Sequence, residues 1–129
     1  MNSSMFENIF RNLPGNVNWE GSFYEQLTEF GRWDAKEFWM LHLDLINAAD
    51  KFKNFDSVDK ELALGIVTLQ SKIARLFIAH FNERDAFKII NLSEENLYAF
   101  KERFDLAVIG VFSGEVLSED SFDLVNPLL

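Results

Sequence analysis

Apolar residues recur along most of this 129-residue chain at intervals of three and four, the period of an α-helix buried on one side. Phe38, Leu41, Leu45, Ala49 and Phe52 keep that spacing, and Trp39, Leu43 and Ile46 widen the stripe. A second stripe (Leu62, Ile66, Leu69, Ile73, Leu76, Phe77, His80) predicts a long helix over roughly 58–81. Val67 and Ile78 add apolar surface on another side of it, so this helix is expected at the centre of the fold. Leu97, Phe100, Phe104, Val108, Val111 and Phe112 mark a third. Start signals precede the stripes. Ser4 with Glu7, Ser22 with Glu25 and Asp34 with Glu37 all have capping-box spacing. The first opens a short helix carrying Met5, Phe6, Ile9 and Phe10, which stops at Asn12, Pro14 and Gly15. The second opens about two turns closed by Gly31, and the third opens the helix through Phe38 and Phe52. Asp56 or Ser57 caps the next long helix and Ser93 the last, with Gly114 just past its end, where left-handed backbone favours glycine. Residues 82–92 read as irregular with one turn of helix, and 118–125 as a short terminal helix before Pro127. Pro14 and Pro127 are the only prolines, which leaves the interior without the strongest helix breaker. The expected fold is all-α: a single bundle over 1–129, with three long helices and two or three short ones.

Composition narrows the class. A hydrophobic content of 48%, with 14 Phe and 3 Trp, is too rich for disorder, and the length suits one core. Cysteine is absent, which removes disulfides, thiolate metal sites and thiol nucleophiles and favours a reducing, cytoplasmic compartment. Residues 1–11 lack the basic and apolar regions of a signal peptide. Wholly apolar or glycine runs such as 62–67 and 106–112 are far shorter than the roughly 18–20 residues of a membrane span. A soluble, unprocessed chain without a membrane partner is expected.

No constellation of side chains adds up to a catalytic or cofactor site. His42 and Asp44 are two apart on a helix and point in different directions, so they cannot share a metal. His80 stands three residues from Glu83, a better geometry for an enzyme, yet it continues an apolar stripe and reads first as a structural histidine. Glu25 with Glu29 and Asp56 with Asp59 lack the Glu-x-x-His that a di-metal bundle needs. Phosphate loops, dinucleotide folds, zincins and hydrolase elbows lack their signatures. Lys72, Arg75, Arg84 and Lys88 are the only local excess of cations, too few and too spread to hold a nucleic-acid backbone.

Charge is the informative feature. There are 21 acidic against 12 basic residues, a net −9. Over 93–129, Glu94, Glu95, Glu102, Asp105, Glu115, Glu119, Asp120 and Asp123 face only Lys101 and Arg103. Glu94 and Glu95 complement the dipole at a helix start. The other six have no such local reason, and Phe122 lies among them as an aromatic anchor would in a charged rim. Glu102, Asp105, Glu115, Glu119, Asp120, Phe122 and Asp123 are therefore the candidate contacts for a basic protein partner. The loop with Asn16, Asn18, Trp19 and Glu20 is a second candidate surface. An acidic helical adaptor binding a basic protein fits the same features.

The segments Trp19-Glu20-Gly21-Ser22-Phe23, Glu37-Phe38-Trp39-Met40-Leu41 and Glu102-Arg103-Phe104 carry a resemblance. The chain resembles the small, mostly helical immunity proteins of bacterial contact-dependent growth inhibition and related polymorphic toxin systems, of the immunity protein 41 group. The resemblance covers most of residues 1–125, and its motifs are aromatic and structural. It implies a cytoplasmic protein without cofactor that binds the C-terminal domain of a cognate toxin, one to one, and silences it. It also implies that the toxin is an RNase of the EndoU type. Trp19, Gly21, Ser22, Phe38 and Trp39 look like framework of that family.

Overall fold

The structure is a computed structural model that describes residues 5–129, and over these it is all-helical. In chain order α1 is Glu7–Phe10, α2 Phe23–Phe30, α3 Ala35–Phe52, α4 Lys60–Phe81 and α5 Glu94–Ser113, and a single 3-10 turn at Glu119–Ser121 comes last. The expected three long helices are α3, α4 and α5.

Most start signals act as the sequence predicts. Ser22, Asp34 and Ser93 each accept the backbone N–H three residues on. Gly31 and Gly114 close α2 and α5 in left-handed conformation, at φ 64° and 77°. Three expectations shift. The cap of α4 is Asp59, which accepts from the N–H of Leu62, so the helix starts after Asp56 and Ser57. The proposed cap Ser4 lies outside the described residues, and Phe6 occupies the cap position of α1 in left-handed backbone with no side-chain cap. Asp44 on α3 accepts the N–H of Asn8 in the first turn at 2.7 Å. Residues 82–92 contain no helical turn, and the terminal helix shrinks to three residues.

Side-chain pairings give the topology. Trp39 meets Phe100, His42 meets Arg103, and the backbone of Lys53 lies beside Gly114, so α3 and α5 run parallel. On the other flank of α5, Phe77 lies under Lys101 and Gln70 bonds Asp105, so α4 runs antiparallel to it. The centre of the fold is the α3–α5 pair rather than α4. Leu62, Ile66, Leu69, Ile73 and Phe77 are buried, whereas Leu64, Val67 and Ile78 are more than half exposed. By length and composition α4 is also long and apolar enough to cross a membrane, because scattered polar residues break the longest pure apolar run without lowering the average much.

One aromatic node ties the elements together. Trp33, in the link between α2 and α3, packs against Phe23, Phe38, Phe77 and Phe100 with ring centroids 4.7 to 5.9 Å apart. These rings come from α2, α3, α4 and α5, and edge-on or tilted pairs of this kind contribute about 0.5–1.5 kcal/mol each beyond area burial. The loop 82–92 is clamped to the same link. Asn91 exchanges two hydrogen bonds with the backbone of Trp33, both 2.8 Å, and Ile90 donates to the carbonyl of Gly31.

A side chain at Gly31 would break this clamp. Its Cβ would lie 2.2 Å from the carbonyl oxygen of Lys88, and φ there is +64°. Gly31→Ala is expected to lower the unfolding free energy by about 2–4 kcal/mol in a urea titration, from backbone strain and displacement of the loop. A loss under about 1 kcal/mol would show that the clamp contributes little.

Candidate functional site

The acidic third of the chain takes its shape from a reversal of the backbone at the end of α5. Gly114 makes the reversal, and residues 115–129, the strap, double back along the seam between α3 and α5. Gly110 makes room for the crossing: a Cβ there would stand 2.7 Å from the Glu115 carbonyl oxygen and 3.2 Å from a methyl of Val116.

A buried polar cluster fastens the strap. Arg103 of α5 is 3% exposed, and a cation buried to that extent needs a counter-charge. Glu119 provides it through an ion pair from the guanidinium Nη2 to its carboxylate. Phe122 covers the guanidinium, 3.9 Å from its central carbon to the ring centroid, and Trp39 lies 6.0 Å away on another side. The other carboxylate oxygen of Glu119 accepts the backbone N–H of Asn126 at 2.6 Å. Asn126, 3% exposed, donates to the carbonyl of Trp39 at 3.1 Å and accepts from the N–H of Leu128 at 2.8 Å. That orientation turns its amide N–H toward Nδ1 of His42, 2.9 Å away.

His42 is 1% exposed and faces donors on both sides, Asn126 at Nδ1 and Arg103 at Nε2, 3.3 Å away. Neither neighbour can accept a proton from the ring, so the ring is neutral and accepts a hydrogen bond at one of its two nitrogens. A further proton would leave both nitrogens pointing N–H groups at donors, the Asn126 amide and the Arg103 guanidinium. Burial first, then the Arg103 guanidinium, hold the imidazole down to about 4, with Glu119 pulling weakly the other way. Burial pushes the carboxyl of Glu119 up, but the Asn126 N–H and the Arg103 guanidinium outweigh it, leaving it below its ordinary value. The Nε of Arg103 is buried without a hydrogen-bond partner.

The seven candidate contacts thus divide. Glu119 and Phe122 are engaged inside the molecule, in the clasp on Arg103. Asp105 is turned toward α4, with Lys101 at 2.5 Å and Gln70 at 3.2 Å. Glu102, Glu115, Asp120 and Asp123 are exposed. Glu102 and Asp123, joined by Glu95, line an open groove of about 410 Å³ between α5 and the strap, floored in part by Ala99, Phe122 and Leu124. Glu95 belongs with this edge as well as with the start of its helix.

Sequence reasoning misses Arg103, His42 and Asn126 as a unit. A signal is present for two of them. Arg103 falls between Phe100 and Ala107, and His42 between Phe38 and Leu45, at the three- and four-residue spacings of the core stripes. An ionisable residue in core register requires a partner, and a partner from outside the helix. Asn126 gives no such signal.

The other candidates have structural roles. Nδ1 of His80 accepts the N–H of Ile89 at 2.9 Å, fastening the loop after α4, and Glu83 is exposed. Trp19 sits edge-on to Tyr24, 5.9 Å between centroids, and anchors its own loop. Arg11 gathers that loop by donating to the carbonyls of Asn18 and Glu20 and to Glu37. Among the described residues, no three His, Asp or Glu side chains gather in a way that could hold a metal ion.

No family model matches the chain, and neither the comparison with curated proteins nor that with solved structures finds a match.

Removing one member of the buried ion pair leaves the other without its counter-charge. Arg103→Ala is expected to lower stability by about 3–5 kcal/mol, while the double change Arg103→Met with Glu119→Leu recovers most of that loss. Chemical denaturation of the single and double variants measures both. A double variant as unstable as Arg103→Ala would mean that the guanidinium contributes by packing and not by its pairing.

Proposed function

We propose that this protein is an immunity protein, a small helical inhibitor that binds a basic bacterial toxin domain and silences it by covering its cationic cleft. The observation that carries this reading is the carboxylate-lined groove between α5 and the strap. There Glu95, Glu102 and Asp123 border a partly apolar floor, and Glu115 and Asp120 extend the same sign of charge along the strap. A rim of one charge around an aromatic and aliphatic floor favours a partner with Lys or Arg side chains on an apolar base. The resemblance to immunity proteins of contact-dependent growth inhibition systems supports the same reading and points to an RNase as the toxin. An RNase presents cations to an RNA backbone, and an acidic edge docked there competes with the substrate without any chemistry of its own. In this reading the protein is not an enzyme, acts in the cytoplasm, and forms a one-to-one complex.

The reading identifies the residues that matter for encounter. Glu102, Asp120 and Asp123 are exposed on this edge and take no part in the buried clasp, so their substitution leaves the fold intact. Charge reversal at these three is expected to slow association with a basic EndoU-type RNase domain at least tenfold at low salt. The difference should shrink as ionic strength rises toward about 0.5 M. Reversal of Lys72 and Arg75 on α4 serves as the control and should leave the rate within twofold. Stopped-flow association together with an RNA-cleavage assay separates the outcomes. Unchanged association across ionic strengths would remove this edge from the interface. Binding to a basic domain with cleavage undiminished would instead fit an acidic adaptor.

A further inference from the structure

We propose that residues 115–129 are a releasable strap: they undock from the α3–α5 seam as one unit when the His42–Glu119 clasp gains protons, while the helices stay folded. Three features of the strap carry this, and none depends on the partner.

The first is how little apolar surface holds the strap. Every fully buried hydrophobic residue lies at or before Val111, and of the strap only Leu124 is counted among the partly buried hydrophobics packed against that core. Within the strap Val116, Leu117, Val125, Leu128 and Leu129 are all between 42% and 55% exposed, and only Phe122 and Leu124 are covered in part. A segment with few buried apolar contacts opens at lower free energy than the core it lies on.

The second is that the fastening is polar and gathered at one place. Glu119, Phe122 and Asn126 of the strap meet His42, Trp39 and Arg103 of the bundle, and the other crossing, at Gly110, is a close backbone approach. Losing the clasp removes the strap's main attachment in one step.

The third is the direction in which protons act. The groups that face His42 are Arg103 from α5, and Glu119 and Asn126 from the strap; from its own helix come the rings of Phe38 and Trp39. Both ring nitrogens look at donors, so an imidazolium loses the hydrogen bond that the neutral ring accepts and repels Arg103. With the strap away, water reaches the imidazole and relieves the burial that holds it at about 4, while Arg103 stays beside it and keeps it below its ordinary value. The docked state therefore binds fewer protons, and its advantage, full above pH 6.5, falls as pH drops below 6.5 toward 4. Glu119, held below its ordinary value when docked, adds to the loss at the lower end of that window.

Amide hydrogen exchange of the full chain, read by mass spectrometry and corrected for the intrinsic effect of pH, tests this. Between pH 7 and pH 5, peptides within 115–129 are expected to lose protection severalfold together, with peptides from α3 and α5 unchanged. Asn126→Ala should produce the same pattern at pH 7, since it removes the strap's anchor without entering the helical core. His42→Gln keeps a neutral side chain and should flatten the pH response over this range. No change in the strap at pH 5, or strap and helices opening together, would overturn the proposal. So would an Asn126→Ala strap as protected as the original.

Discussion

A guanidinium closed off from water constrains the last third of this molecule. Arg103 lies in the core register of α5, between Phe100 and Ala107, and is almost wholly buried. The effective penalty for such burial is several kcal/mol unless an opposite charge and hydrogen bonds meet it. The surrounding helices offer Trp39 and a neutral histidine, and neither carries a negative charge. The carboxylate comes from Glu119, sixteen residues on, so the chain must turn back along α5 to bring it there. Gly114 makes the turn and Gly110 admits the crossing backbone. The acidic edge is a geometric consequence: once Glu119 is fixed on Arg103, Asp123 is carried to the groove that Glu102 and Glu95 line.

The helices around this clasp divide the work of folding by chemistry. Aromatic packing sets the end of the bundle where Trp33, Phe38 and Phe100 meet, and small residues (Ala48, Ala49, Ala107 and Gly110) are buried further along α3 and α5. Small side chains allow helices to approach closely, while large rings fill the wider end, as close packing of an interior requires. Helix α4 contributes one buried stripe and leaves Leu64, Val67 and Ile78 facing outward. The parallel course of α3 and α5 is possible because α4 spans the distance between the end of one and the start of the other.

Local signals in the sequence are reliable wherever one helix decides its own ends. Ser22, Asp34 and Ser93 cap, and Gly31 and Gly114 terminate, because the groups involved lie within five residues of each other. Failures occur where a distant segment intervenes. Asp44 takes the N–H of Asn8 in α1 from thirty-six positions away, and nothing near Phe6 announces that. Helix α4 reads as central because its composition is the most apolar, but position in a bundle depends on how many neighbours a helix has, and periodicity along one helix does not report that. The acidic residues are visible as a group. Which of them turn inward is not, since Glu119 and Asp120 are adjacent and equally acidic, and only the placement of Arg103 separates their roles.

Under the proposed function, a division of labour between neighbouring carboxylates would have a physical advantage. An ion pair closed inside the molecule adds almost nothing to the outer field, because Arg103 cancels Glu119 at contact distance. Glu102, Glu115, Asp120 and Asp123 are left outside, and their field reaches about 8 Å at physiological salt before it is screened. On the proposed basic partner they would act on approach, while it is still hydrated and misoriented, and the gain would be in rate. Residence in such a complex would then depend on Ala99, Phe122 and Leu124 of the groove, where desolvation becomes possible once the surfaces touch. Phe122 links the two stages: one face covers Arg103 and holds the strap in place, and its position brings the same ring to the groove. The shape of the surface offered to a partner is therefore set by the same contact that neutralises the buried cation.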